Sequence, residues 1–149
     1  MKNVLVFFDE ENNLAEIDLL KNSNVDAQFN FYGYRINARE QIQNLDLDEN
    51  EICMVIVGES TRFLASSFVA DLRKVINSAL PILCLNINEC IGLDEANCPR
   101  ILWDCGAIHM PFNKESLIYL LQEVNYQDRN QNSKGSFHLR QHPRPFDLE

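Results

Sequence analysis

The stretch Ile52–Thr61, ICMVIVGEST, runs six apolar residues directly into Gly58, Glu59, Ser60 and Thr61. A short continuous apolar run bounded by turn residues reads as a strand buried on both faces, the kind found inside parallel sheets. Two other segments have the same character. Asn3–Phe8, NVLVFF, precedes the polar DEENN, and PILCLNI starts at Pro81. Between the second and third runs, Phe68, Leu72, Val75 and Ala79 recur at helical spacing, with Arg73, Lys74 and Asn77 on the other faces. Ser66 or Ser67 is expected to cap this helix, because a hydroxyl can accept from the free N–H groups of the first turn.

The remaining elements are weaker. Leu14, Ile17 and Leu20 are spaced for a short first helix. Residues 25–34, VDAQFNFYGY, largely alternate apolar and polar side chains, which predicts a strand at or near a sheet edge. A short helix is expected over residues 36–45. The last strand is expected at Ala107–Met110 in preference to Ile101–Trp103, followed by a helix capped by Asn113. Alternating strands and helices imply an α/β fold: a three-layer α/β/α sandwich, flavodoxin-like, with a five-stranded, mainly parallel sheet. Residues 1–125 form the domain. Residues 126–149 are polar, carry two prolines and lack periodicity, which predicts a flexible C-terminal tail.

The 149 residues suit one domain. A net charge of −9 argues against a nucleic-acid or anionic-membrane surface, since both need clustered Lys and Arg. No apolar run is long enough to cross a bilayer, and the N-terminus does not read as a signal peptide. Five cysteines without paired Cys-x-x-Cys spacing read as reduced thiols of a cytoplasmic protein, and no metal is expected. Cys53 and Cys84 fall inside buried strands, where Cys acts as a small hydrophobe.

Ligands of doubly wound folds bind outside the carboxyl ends of the strands. Those ends are Phe8-Asp9-Glu10, Gly58-Glu59-Ser60-Thr61, Asn86-Ile87-Asn88 and Met110-Pro111-Phe112. Gly58 is expected to serve a tight turn or a close approach of backbone to ligand. Glu59 is a candidate for a ribose hydroxyl. Thr61, Ser66 and Ser67 are candidates for orienting a ligand, with helix capping as the simpler role. Phe8 and Asp9 are candidates for the same pocket, although Asp9 can also cap the first helix.

Two family resemblances rest on these residues. NVLVFFDEENN (residues 3–13) and GAIHMPFNKESLIYLL (residues 106–121) look like the two ends of a response-regulator receiver domain. Val57-Gly58 stands where a receiver carries its phosphoacceptor Asp, and Met110 where its Lys precedes the proline, so the likeness is to a degenerate receiver. MVIVGESTRFLASSFVADLRKVINSALPILCLNIN (residues 54–88) and CPRILWDCGAIHMPF (residues 98–112) resemble the TIR-like (Toll/interleukin-1 receptor-like) family of small bacterial domains. That resemblance implies a signalling domain, of the kind found in anti-phage defence, with NAD or a related nucleotide as substrate or ligand. Asp71 takes the place of the helix Glu that TIR enzymes use on the nicotinamide ribose. One methylene shorter, it implies weak or absent glycosidic-bond cleavage. Phe8, Asp9, Gly58, Glu59, Thr61, Ser66 and Ser67 would contact the ligand. The alternative implied is a non-catalytic module that acts by self-association or on another signalling protein.

Overall fold

The computed structural model describes residues 2–23, 25–36, 45–113, 117 and 137–138. The strands are β1 (Lys2–Asp9), β2 (Ala27–Tyr34), β3 (Ile52–Val57), β4 (Ile82–Asn86) and β5 (Ile108–Pro111). All pair in parallel, in the order β2-β1-β3-β4-β5, and a two-residue strand, β6 (Phe137–His138), extends the sheet beyond β5. This is the α/β, flavodoxin-like arrangement. The alternating segment after residue 25 lies at the sheet edge as β2. The rest of the 126–149 segment and the helix expected over 36–45 fall almost entirely outside the described residues.

Period-two alternation divides the strands between two cores. Val4, Val6, Met54, Ile56, Leu83 and Leu85 pack with Ile17 and Leu20 of helix α1 (Leu14–Lys21). Leu5, Phe7, Cys53, Val55, Val57 and Cys84 pack with Phe68, Leu72 and Val75 of helix α2 (Ser66–Ser78). The two helices therefore cover opposite faces. Leu14 differs from its expected role, being 56% exposed: it opens α1 at the rim of the sheet. Neither Ser66 nor Ser67 caps α2. Its N-cap is Ala65, held by an N–H bond to the Arg35 carbonyl (3.0 Å), so chain pairing at the exit of β2 anchors the helix start. Ala79 ends the helix in the left-handed region (φ 65°), and Pro81 prevents its continuation.

One departure from the alternating pattern shapes the site. A doubly wound chain would place a helix between β4 and β5. Here residues 87–107 have only the 3-10 turn Arg100–Leu102 as regular structure. Leu102 and Ala107 are nonetheless fully buried, and Cys98 nearly so, because this long loop covers the α2 face of the sheet beside α2.

Candidate functional site: the crevice at the strand ends

From β1 the sheet runs one way to β2 and the other way to β3. The crevice opened by that reversal lies at the carboxyl ends of β1 and β3, where doubly wound folds take ligands. A cavity of about 400 Å³ occupies it, bounded by Asn12, Asn13, Glu16, Gly58, Glu59, Ser60, Ile87, Asn88 and Asn97. Gly58 and Glu59 are therefore at the crevice, as expected. Gly58 is not left-handed. Its role is space: a Cβ there would stand 3.2 Å from Ile87 Cδ1 and 3.4 Å from Asn13 Nδ2.

Asp9 does not line the cavity; it organises the residues that do. The side chain is 1% exposed. Its Oδ1 accepts from the N–H groups of Glu11 (2.9 Å) and Asn12 (3.3 Å), and its Oδ2 from Asn12 Nδ2 (2.9 Å) and the Ser60 hydroxyl. The Asp9 N–H donates to Asn13 Oδ1 (2.8 Å). Burial by itself would raise this carboxyl. The donors Asn12 and Ser60 and the two backbone N–H groups outweigh it and hold Asp9 below the ordinary carboxylate range. The α1 N-cap is Asn13, so Asp9 closes the turn before the helix rather than capping it. On the opposite wall, the buried Asp94 accepts from Asn88 Nδ2 (2.9 Å) and Asn97 Nδ2 (2.8 Å), fixing two more lining amides.

The other sequence candidates lie elsewhere. Thr61 is buried and structural. Its hydroxyl accepts from the Gly58 N–H (2.8 Å) and donates to the Ile56 carbonyl (3.2 Å), closing the turn after β3. Phe8 points to the α1 face, edge-on to Phe31. Ser66 is exposed at the first turn of α2, and Ser67 Oγ is buried. Asp71 is not a solvated helix residue. It is 8% exposed and accepts a 2.8 Å hydrogen bond from the Tyr34 hydroxyl, with Lys74 Nζ at 3.5 Å. Tyr34 is itself enclosed by Phe7 and Phe68. Burial, and then the hydrogen bond to Asp71, push its hydroxyl far above the ordinary range, so it remains a donor at all physiological pH. Replacing Tyr34 with Phe leaves one buried carboxylate oxygen without that donor and is expected to cost about 1–3 kcal/mol in urea unfolding. A loss below about 0.5 kcal/mol would mean that Asp71 finds another donor.

A second cavity, of about 460 Å³, is bounded by Arg62, Val69, Arg73, Glu95, Cys98, Pro99, Arg100, Ile101 and Trp103. Its lining draws on the same two stretches of chain as the crevice, with Arg62 after β3 and Glu95 and Cys98 on the 87–107 loop. The Arg100 guanidinium lies over the Trp103 ring (5.2 Å), and the Trp103 indole N–H donates to the Cys98 carbonyl (2.9 Å). Asp71 lines neither cavity. Beneath this loop, ligand atoms of Cys84, Cys98 and His109 lie within 4.8 Å of one another.

No protein-family model matches the chain, and no curated protein matches it in sequence. The crevice geometry therefore carries the functional argument. Among the described residues, no helix is long and apolar enough to cross a membrane.

Asn12, Asn13, Glu16, Ser60, Ile87, Asn88 and Asn97 are lining residues that sequence reasoning did not single out. Most carried a usable signal, since Ser60, Ile87 and Asn88 belong to the strand-end segments and Asn12 and Asn13 follow β1. Asn97 carried none, because nothing in its neighbourhood fixes the path of the 87–107 loop.

Proposed function

We propose that this chain is a cytoplasmic TIR-like signalling domain that binds NAD, or a related nucleotide, with weak or absent glycosidic-bond cleavage. The observation that supports this reading is the crevice at the β1/β3 reversal, walled by four asparagines, two glutamates and Ser60. Amides and a hydroxyl suit the hydroxyls of a ribose, and Glu16 and Glu59 suit a cationic nicotinamide ring. Among the described residues, the crevice lining holds no Lys or Arg. Arg62, Arg73 and Arg100 border the neighbouring cavity, where phosphates would find counter-charge. Cleavage passes through an oxocarbenium-like centre that a carboxylate on the ribose side stabilises. Asp71, which the TIR-like resemblance puts in that role, is enclosed with Tyr34 and lines neither cavity, and Glu16 and Glu59 are taken up by the nicotinamide ring, so weak or absent turnover is the expected behaviour.

Calorimetric titration with NAD tests this. The wild-type chain is expected to bind, and Gly58→Val, whose branches enter the crevice against Ile87 and Asn13, to bind at least about tenfold more weakly. Nicotinamide release is expected to stay at background. An absence of binding by NAD and by its component nucleosides, together with a concentration-dependent increase in size, would replace this reading with that of a self-associating interaction module.

A further inference from the structure

We propose that Cys84, Cys98 and His109 form a metal site, for Zn²⁺ by the chemistry of its donors, that clamps the 87–107 loop onto β4 and β5. The site is built across three pieces of chain. Cys84 of β4 and His109 of β5 are register partners in the sheet, so their side chains emerge side by side on one face. Cys98 descends onto them from the loop. All three are buried, and their ligand atoms lie within 4.8 Å of one another. In a tetrahedral zinc site with these donors, neighbouring ligand atoms stand roughly 3.5–3.8 Å apart. Closure on the ion therefore needs a movement of about 1 Å, which side-chain rotation supplies.

The imidazole is already oriented for ligation. Nε2 lies 3.2 Å from the Leu102 carbonyl oxygen, which can only accept, so Nε2 carries the proton and Nδ1 the lone pair. A histidine that donates its other nitrogen to a carbonyl has the usual supporting contact of a metal-bound imidazole. Two thiolates and an imidazole select a borderline-soft ion over Mg²⁺ or Ca²⁺. A fourth ligand has to come from water or from Cys105, half-buried on the same loop.

The fold supplies an independent reason. Structureless loops longer than about 12–15 residues are uncommon inside compact domains unless they are functional or tied down. The 87–107 loop occupies the place of a crossover helix and buries Cys98, Leu102 and Ala107, yet has only one 3-10 turn. A metal joining Cys98 to two adjacent strands would provide the cross-link that the missing helix does not. Binding converts the thiols to thiolates and releases their protons to solvent.

The test uses the full chain, purified with reductant and stripped of metal. One equivalent of Co²⁺ is expected to give near-ultraviolet thiolate-to-metal absorption and the intense visible bands of tetrahedral cobalt, both abolished by one equivalent of Zn²⁺. Zn²⁺ in excess of its dissociation constant is expected to raise Tm by about 5 °C or more. Cys98→Ser and His109→Gln are expected to weaken binding by about a hundredfold or more, while Cys90→Ser, outside the cluster, leaves it unchanged. The wild-type spectrum decides even if a core variant fails to fold. No thiolate band and no rise in Tm in the wild-type chain would overturn the proposal, as would equal losses in Cys90→Ser and Cys98→Ser.

Discussion

Replacing Phe7 with alanine is expected to remove about 3–5 kcal/mol of stability, the range for truncating a buried phenylalanine. Phe7 is fully buried in β1 and meets Tyr34 (5.3 Å between ring centroids), Tyr32 (6.1 Å) and Phe68 (6.1 Å), each edge-to-face. One side chain thus joins the edge strand β2 to the helix α2. Truncation loses its transfer free energy and leaves a cavity that three rigid rings cannot collapse to fill. Against a total of about 5–15 kcal/mol for an ordinary domain, that loss is a large fraction. Urea unfolding checks it: the midpoint falls while the slope with denaturant is unchanged. Phe7→Leu, which refills part of the volume, is expected to cost markedly less. A loss below about 1 kcal/mol in Phe7→Ala would show that β2 and α2 do not depend on this ring. Because Phe7 backs Tyr34, the same truncation is expected to loosen the Tyr34–Asp71 hydrogen bond and to reduce the cost of Tyr34→Phe in the double variant.

Replacing Asp9 with alanine is expected to cost about 3 kcal/mol, the scale for removing a buried charged acceptor from its donors. The loss strands the N–H of Glu11, leaves the Asn12 N–H with only the backbone carbonyl of residue 9 as acceptor (3.3 Å), and frees the Ser60 hydroxyl and the Asn12 amide from their shared anchor. Two walls of the crevice then lose their relative position, so ligand affinity is expected to fall together with stability. The pH dependence has a definite sign. The folded-state carboxyl is held below its ordinary value of 3.8, so its contribution is complete above that value. The contribution is lost as pH falls from there through the lower folded-state value. The stability gap between wild type and Asp9→Asn is therefore expected to be constant near neutrality and to shrink below about pH 4. A gap that widens on acidification would contradict the assignment of these donors.

The crevice was partly legible in the sequence, for a physical reason. Strand ends follow from where apolar runs stop, and parallel sheets put those ends on one rim. That logic puts Gly58 and Glu59 on the rim, and both line the crevice. Asp71 was not legible in the same way, because helical spacing says which residues share a face but not which one a tyrosine from a distant strand will reach. Phe8 and Asp9, adjacent in sequence, point to opposite faces of the sheet, so the two could not both face one pocket.

The chain's own periodicities determined the sheet, its parallel sense and the two helices, since burying alternate or every third to fourth side chain is a local requirement that the apolar pattern records directly. Tertiary structure decided the rest. Strand pairing set Cys84 beside His109, and the 87–107 loop brought Cys98 onto them, although the spacing of these residues along the chain shows no metal-binding pattern. Asp9, Ser60 and Asn12 met in the same way, through a turn after β1 and another after β3. Contacts of this kind depend on the path of irregular backbone, which hydrophobic patterning does not encode.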